Sequence, residues 1–161
     1  MKRNLLCGLL AAAVLSVPAG AARTVPVQVD GAKLPGTSYL ESCVTYVPLR
    51  YLLDALGGWE IRWDSAQRAA VAVSGSTRLI ASPAGDTIQI GEKTLRGQVS
   101  LSQGRTYVPL RIVAEALGNT VAWDHHLQGA SVTTSQADHD AEDFYWLSRI
   151  CLLYTSDAAD D

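Results

Sequence analysis

Apolar and polar residues alternate in short stretches along this chain, and twice the period lengthens to that of a helix. Val25, Val27 and Val29 alternate with Pro26 and Gln28, which predicts one half-buried strand that Pro26 pushes toward an edge or a strand start. Asp30-Gly31 then supplies a tight hairpin turn. Leu49, Leu52, Leu53 and Leu56 fall at i, i+3, i+4 and i+7, so the spacing predicts a short helix with one apolar stripe. Pro48 occupies a natural first helical position and Gly57 a natural stop. Trp59, Ile61 and Trp63 return to a period of two, with Glu60 and Arg62 on the opposite face. Val71 and Val73 continue the strands, Ser74-Gly75-Ser76 makes a turn, and the run from Leu79 to Ala81 ends at a second turn, Ser82 to Asp86.

The pattern then repeats. Ile88 and Ile90 alternate with Gln89, and Leu110, Val113, Ala114 and Leu117 form a second helical stripe between Pro109 and Gly118. Helices of about ten residues are marginal alone and must lean on a sheet. The order is strands, helix, strands, strands, helix, strands. It predicts an α+β fold, a curved antiparallel sheet packed on short helices in two tandem related units.

Sequence identity underlies that repetition. At an offset of 61, Val27-Gln28-Val29 lines up with Ile88-Gln89-Ile90, Leu34 with Leu95, Gly36 with Gly97 and Leu40 with Leu101. The same offset aligns Thr45-Tyr46-Val47-Pro48-Leu49-Arg50 with Thr106-Tyr107-Val108-Pro109-Leu110-Arg111, and Ala55-Leu56-Gly57 with Ala116-Leu117-Gly118. After one residue is dropped, Trp63-Asp64 matches Trp123-Asp124. The units run from about 25 to 73 and 86 to 134, and the shared tryptophans and leucines are expected to bury against each other.

Both ends depart from this pattern. Lys2 and Arg3 precede an apolar run from Leu5 to Val17 and then Pro18-Ala19-Gly20-Ala21-Ala22, the order of a secretory signal peptide over residues 1–22. The run is shorter than the roughly 20 apolar residues a bilayer-spanning helix needs. Residues 135–142 read as a polar, acidic linker, and Asp143 to Ile150 start an apolar helical pattern. Cys151 to Asp161 resembles the translation of a sequencing-library adapter, with a natural acidic tail as the alternative.

Composition narrows the functional classes. With 48% hydrophobic and 18% charged residues, the chain is not a disordered tail protein. Residues 23–134 hold 10 basic and 9 acidic side chains, so no basic stripe marks a nucleic-acid partner. Once Cys7 leaves with the signal and Cys151 with the terminal segment, Cys43 is alone and no internal disulfide forms. No nucleophile elbow, phosphate loop or His-Glu-x-x-His motif appears, so the chain as given reads as non-enzymatic, with no catalytic, cofactor or metal residues. His125 and His126 are adjacent and read as an exposed turn; His139 lies in the linker.

The string Tyr-Val-Pro-Leu-Arg, a short helix ending Ala-Leu-Gly and a following Trp-Asp resemble the copper amine oxidase N-terminal-like or stalk domain. The resemblance covers about Val25 to Thr134. It implies a curved antiparallel sheet around a helix, serving as a non-catalytic module beside wall-acting or other exported domains. It also implies that copper and quinone chemistry belong to a different domain. Residues 143–150 are similar to the first helix of the spore-cortex-lytic type of cell wall hydrolase, with no catalytic residue to carry over.

The repeated Tyr46, Pro48, Arg50, Trp63, Asp64, Tyr107, Pro109, Arg111, Trp123 and Asp124 therefore read as a structural motif. A cation in a helix's first turn opposes the macrodipole and needs a partner. Arg50 and Arg111 are each expected to cover a repeat tryptophan and to hydrogen-bond Asp64, Asp124 or nearby carbonyls. The rival reading is a ligand-binding arginine in a groove. Two functions follow: an extracellular, wall-associated module that positions a peptidoglycan hydrolase through peptidoglycan or envelope-protein contacts, or an independent exported scaffold. Neither involves nucleic acid, nor a membrane after signal cleavage.

Overall fold

The structure is a computed structural model that describes residues 21–135. The signal peptide, the linker, the hydrolase-like helix and the terminal segment fall on or run into residues 1–20 and 136–161, outside the described residues.

Strands dominate and two short helices interrupt them. The first half contains β1 (Arg23–Val25), β2 (Val27–Val29), β3 (Ala32–Lys33), β4 (Ser38–Glu41), β5 (Val44–Pro48), α1 (Leu49–Leu56), β6 (Glu60–Asp64) and β7 (Ala69–Ser74). A connector, β8 (Thr77–Ser82) and the 3-10 turn Pro83–Gly85, leads to the second half. There the chain forms β9 (Thr87–Ile90), β10 (Lys93–Arg96), β11 (Ser100–Ser102), β12 (Arg105–Pro109), α2 (Leu110–Ala116), β13 (Thr120–Asp124) and β14 (Gly129–Thr133). The architecture is α+β with mostly antiparallel pairing.

The strands divide among three sheets and not one. The central sheet has the order β1-β4-β5-β12-β11, the second β10-β9-β8-β7-β6, and the third β13-β14-β2-β3. In the central sheet β5 and β12 pair antiparallel with Val47 opposite Val108, Tyr46 opposite Pro109 and Pro48 opposite Tyr107. The register is thus symmetric about Val47 and Val108, which match at an offset of 61. Val47 and Val108 are both fully buried there.

The outer sheets exchange hairpins between halves. β2-β3 of the first half sits beside β13-β14 of the second, and β9-β10 of the second half joins β6-β7 of the first. Chain continuity explains why the two outer sheets differ. β7 and β9 belong to one continuous stretch, and β8 between them makes two antiparallel steps with tight turns. β14 and β2 are far apart in sequence, need no such step, and pair directly in parallel. That parallel pair departs from the all-antiparallel expectation.

Pro26 accounts for a second departure. The expected single strand from Val25 to Val29 is two strands in different sheets, β1 on β4 and β2 on β14. Proline has no N–H for a ladder, and the break falls at that residue. Its carbonyl instead accepts the N–H of Ala130 at 3.1 Å. Asp30-Gly31 does form the expected two-residue turn, with φ of 48° and 81°. Pro48 and Pro109 each sit at the junction of strand and helix with ψ of 120°, not inside the first helical turn. Their φ of −64° and −63° suits both strand and helix, so the chain passes from one to the other without a loop.

One core spans both halves. α1 packs on β5 and on β12 of the other half, and α2 packs on β12, β13 and β5. Leu49, Leu52 and Leu53 of α1 and Leu110, Val113 and Ala114 of α2 are buried in the same cluster as Val47, Val108, Leu79, Ile88 and Val132. Burying each such leucine stabilises the fold by roughly 1.5–3 kcal/mol. Those contacts hold helices of 8 and 7 residues that would not persist alone.

The parallel joint leaves no space for a side chain at Gly129. A methyl group there would collide with the carbonyl oxygen and ring of Pro26. Gly129→Ala is therefore expected to destabilise the protein by at least about 2 kcal/mol, read as a lowered urea midpoint. An unchanged midpoint would contradict the close β2–β14 contact.

Candidate functional site

The repeated Asp residues close turns. Asp64 Oδ1 accepts the backbone N–H groups of Ala66 and Gln67 at 2.9 and 3.1 Å, and Asp124 Oδ1 those of His126 and Leu127 at 2.8 and 3.0 Å. Each carboxylate thereby pins the hairpin that follows its strand. The Leu127 N–H first, then the His126 N–H and the nearby His126 and His125 side chains, hold the Asp124 carboxyl below its ordinary value, against an opposing desolvation. Asp124 Oδ2 also accepts the Gln28 amide at 3.5 Å, a long contact that reaches β2.

With those oxygens in use, the expected arginine-to-aspartate ties do not form. Arg111 pairs instead with Glu115, one turn along its own helix, at 2.9 Å. Arg50 donates one long bond, 3.4 Å, to the carbonyl of Ile61. The carbonyl contact is of the kind anticipated; the carboxylate contact is not made. The tryptophans differ as well. Trp63 is 44% exposed, and Trp123 is covered not by Arg111 but by Arg23, 6.0 Å from its ring centroid. Trp63 therefore does not take the buried place expected of it; both tryptophans lie on outermost strands, β6 and β13, and Trp123 differs in having Arg23 over its ring.

Tyr46 and Tyr107 lie on the central sheet opposite the Val47–Val108 face. Tyr39 stacks on Tyr46 at 5.2 Å and tilts against Tyr107 at 5.3 Å. Burial, with Tyr39, Glu41 and Asp86 nearby, raises the Tyr46 phenol above its ordinary value, and its hydroxyl donates to Gln98 Oε1 at 3.3 Å.

The two Pro-Leu-Arg segments build two matched grooves. The first, about 280 Å³, is formed by Pro48, Leu49, Arg50 and Tyr51 at the start of α1, by Ile61 and Ala70 of the β6-β7 hairpin, and by Gly104, Arg105 and Thr106 of the other half. The second, about 570 Å³, uses the matched Pro109, Leu110, Arg111 and Ile112, then Val121 and Ala130, then Cys43, Val44 and Thr45. Every wall position of the first recurs in the second, and each groove takes residues from both halves. Arg23, Leu40 and Trp123 extend the second. A larger cleft of about 780 Å³ opens where the helices end, near Leu56, Leu117 and Asn119.

The sequence matches the family described as Copper amine oxidase N-terminal domain over residues 28–132. The chain belongs to that family. No curated protein and no solved structure matches it significantly. In family terms the copper amine oxidase N-terminal domain is a non-catalytic, stalk-type module, which is compatible with no enzyme activity in this fragment. The described residues do not fit a copper site. His125 and His126 are exposed neighbours in one turn, and no three His, Cys, Asp or Glu side chains converge among the described residues.

Reading the sequence alone missed the grooves, since each needs the crossing of the two halves. It also missed Arg105, whose guanidinium lies 5.7 Å from the Tyr51 ring centroid, because its matched position is Val44 and the repeat gave no signal there.

Two tests follow from this geometry. Cys43 holds φ of 65° in an exposed turn, where its matched residue is Gly104 with φ of 71°. Cys43→Gly is expected to raise stability by about 0.5–1 kcal/mol in urea denaturation, since glycine adopts that conformation without steric cost. Asp124 titrates lower in the folded chain than its ordinary 3.8. Its contribution is present above that value and lost as the pH falls through the depressed one. Asp124→Asn should thus flatten the decline in urea midpoint as the pH falls below about 4. A decline as steep as the parent's would contradict the capping role.

Proposed function

We propose that this chain is a secreted, non-catalytic stalk or binding module of a bacterial cell-envelope protein that positions a peptidoglycan hydrolase at the wall. The observation that carries the reading is the family match over residues 28–132, on a fold that carries two matched grooves. The module consists of one strand-helix-strand unit copied in tandem. Support comes from the identities at an offset of 61 and from the pairing of β5 with β12, symmetric about Val47 and Val108. Export is supported by the charged, apolar, small-residue order of residues 1–22. The hydrolase is supported by the similarity of residues 143–150 to the first helix of that enzyme type.

In this reading the groove-lining residues hold a wall component while the structural motif keeps the two halves locked. Tyr46, Pro48, Trp63, Asp64, Tyr107, Pro109, Trp123 and Asp124 serve the scaffold. A sedimentation assay tests the role directly. The full chain mixed with purified sacculi is expected to pellet with them well above an unrelated protein of similar charge. Recovery of the chain in the supernatant, at the level of that control, would remove the wall-binding role and leave a spacer.

A further inference from the structure

The two grooves share a backbone plan but differ in charge. In the second, Arg111 is neutralised by Glu115, the position matched to Arg105 is Val44, and the one remaining cation, Arg23, lies over the Trp123 ring. In the first, both Arg50 and Arg105 line the opening, and no carboxylate lies within ion-pair distance of either among the described residues. Asp54, matched to Glu115, is one methylene shorter and makes no such bridge. A single long bond to the Ile61 carbonyl leaves most of the Arg50 donors open, and Arg105 contacts only the face of Tyr51. Two unneutralised guanidiniums therefore flank a floor of buried Leu49 and Ala70.

We propose that this first groove binds a carboxylate carried on a small aliphatic residue, namely the C-terminal end of a short peptide. Planar guanidinium groups match a carboxylate with paired, charge-assisted hydrogen bonds, which favours that anion. The floor beneath is apolar and the space, about 280 Å³, lies below the range of roughly 300–1,000 Å³ that takes a drug-sized ligand. It admits one small side chain together with its terminal carboxylate. The choice of a peptide as the carrier rests on the wall-facing function proposed above; the anion and the small apolar group are read from the groove itself.

The test uses the full ¹⁵N-labelled chain, titrated with acetyl-alanyl-alanine of each chirality and with the corresponding C-terminal amides. The free acid of at least one enantiomer is expected to shift the Gly104 and Arg105 amide signals with a Kd of about 1 mM or tighter, and the amide to bind at least tenfold more weakly. Arg50→Gln and Arg105→Gln are each expected to raise Kd about tenfold while keeping the dispersed spectrum of the parent, and Arg111→Gln to leave it unchanged. Equal binding of acid and amide would overturn the proposal. So would equal response to inorganic phosphate, parent-like binding by both glutamine variants, or no shift at about 10 mM peptide. Peptide binding without retention on sacculi supports the groove and removes only the wall role; retention without peptide binding overturns the groove proposal alone.

Discussion

The pairing of β5 with β12 is the constraint on which the rest of the fold depends. Val47 faces Val108, both fully buried, and the neighbouring positions exchange tyrosine for proline symmetrically. Because each of these strands runs directly into a helix, the pairing also sets where both helices begin. Each helix then lies against the other half's strand, and neither half can bury its apolar stripe without its counterpart. Leu49 and Leu110, at the two helix starts, share one core. The grooves are a by-product of the same crossing, since each has walls from both halves.

Approximate symmetry is broken where the chain must be continuous. β8 exists to carry the chain from β7 to β9, and in doing so it occupies a place between hairpins that the third sheet leaves closed. There Gly129 lets β14 come directly against β2, and Asp30 fastens the end of β14 through the N–H and hydroxyl of Thr134 at 2.9 and 2.7 Å. A second asymmetry is chemical. The substitution of arginine for valine at one matched position and of aspartate for glutamate at another leaves two unpaired arginines in one groove, where the other has only Arg23. The fold tolerates such differences because exposed side chains at a groove rim carry little of the folding energy.

Much of this was legible in the residue pattern. The periods of two and of 3.6 located β2, β6, β7, β8, β9 and both helices, though not the central β5 and β12, and Asp30-Gly31 named its turn. The two Tyr-Val-Pro-Leu-Arg segments each run from a strand into a helix. What the pattern did not carry was partnership at long range. Nothing local in Val27 to Val29 says that it will pair in parallel with Ala130 to Val132, and sheet membership is decided by such contacts. The aspartate of Trp-Asp was misassigned for a related reason: two turn N–H groups within three residues outcompete a guanidinium that must reach across from a helix. Arg111 then took the nearest carboxylate, although that orientation along a helix is the weaker one. Trp63 and Trp123 both lie on strands that end a sheet, and only Trp123 has a side chain from elsewhere in the chain, Arg23, over its ring, a contact that period does not predict.

Whether the two halves form one cooperative core is best measured by residue-resolved urea unfolding of Val108→Ala, followed by NMR. The shared Val47–Val108 contact predicts that amide signals of the first half, such as Leu53 and Val71, lose their folded intensity at the same lowered midpoint as Val113 and Val132 of the second. If the first half kept the parent's midpoint while the second alone unfolded earlier, the halves would be independent and the account of a single interlocked core would be contradicted.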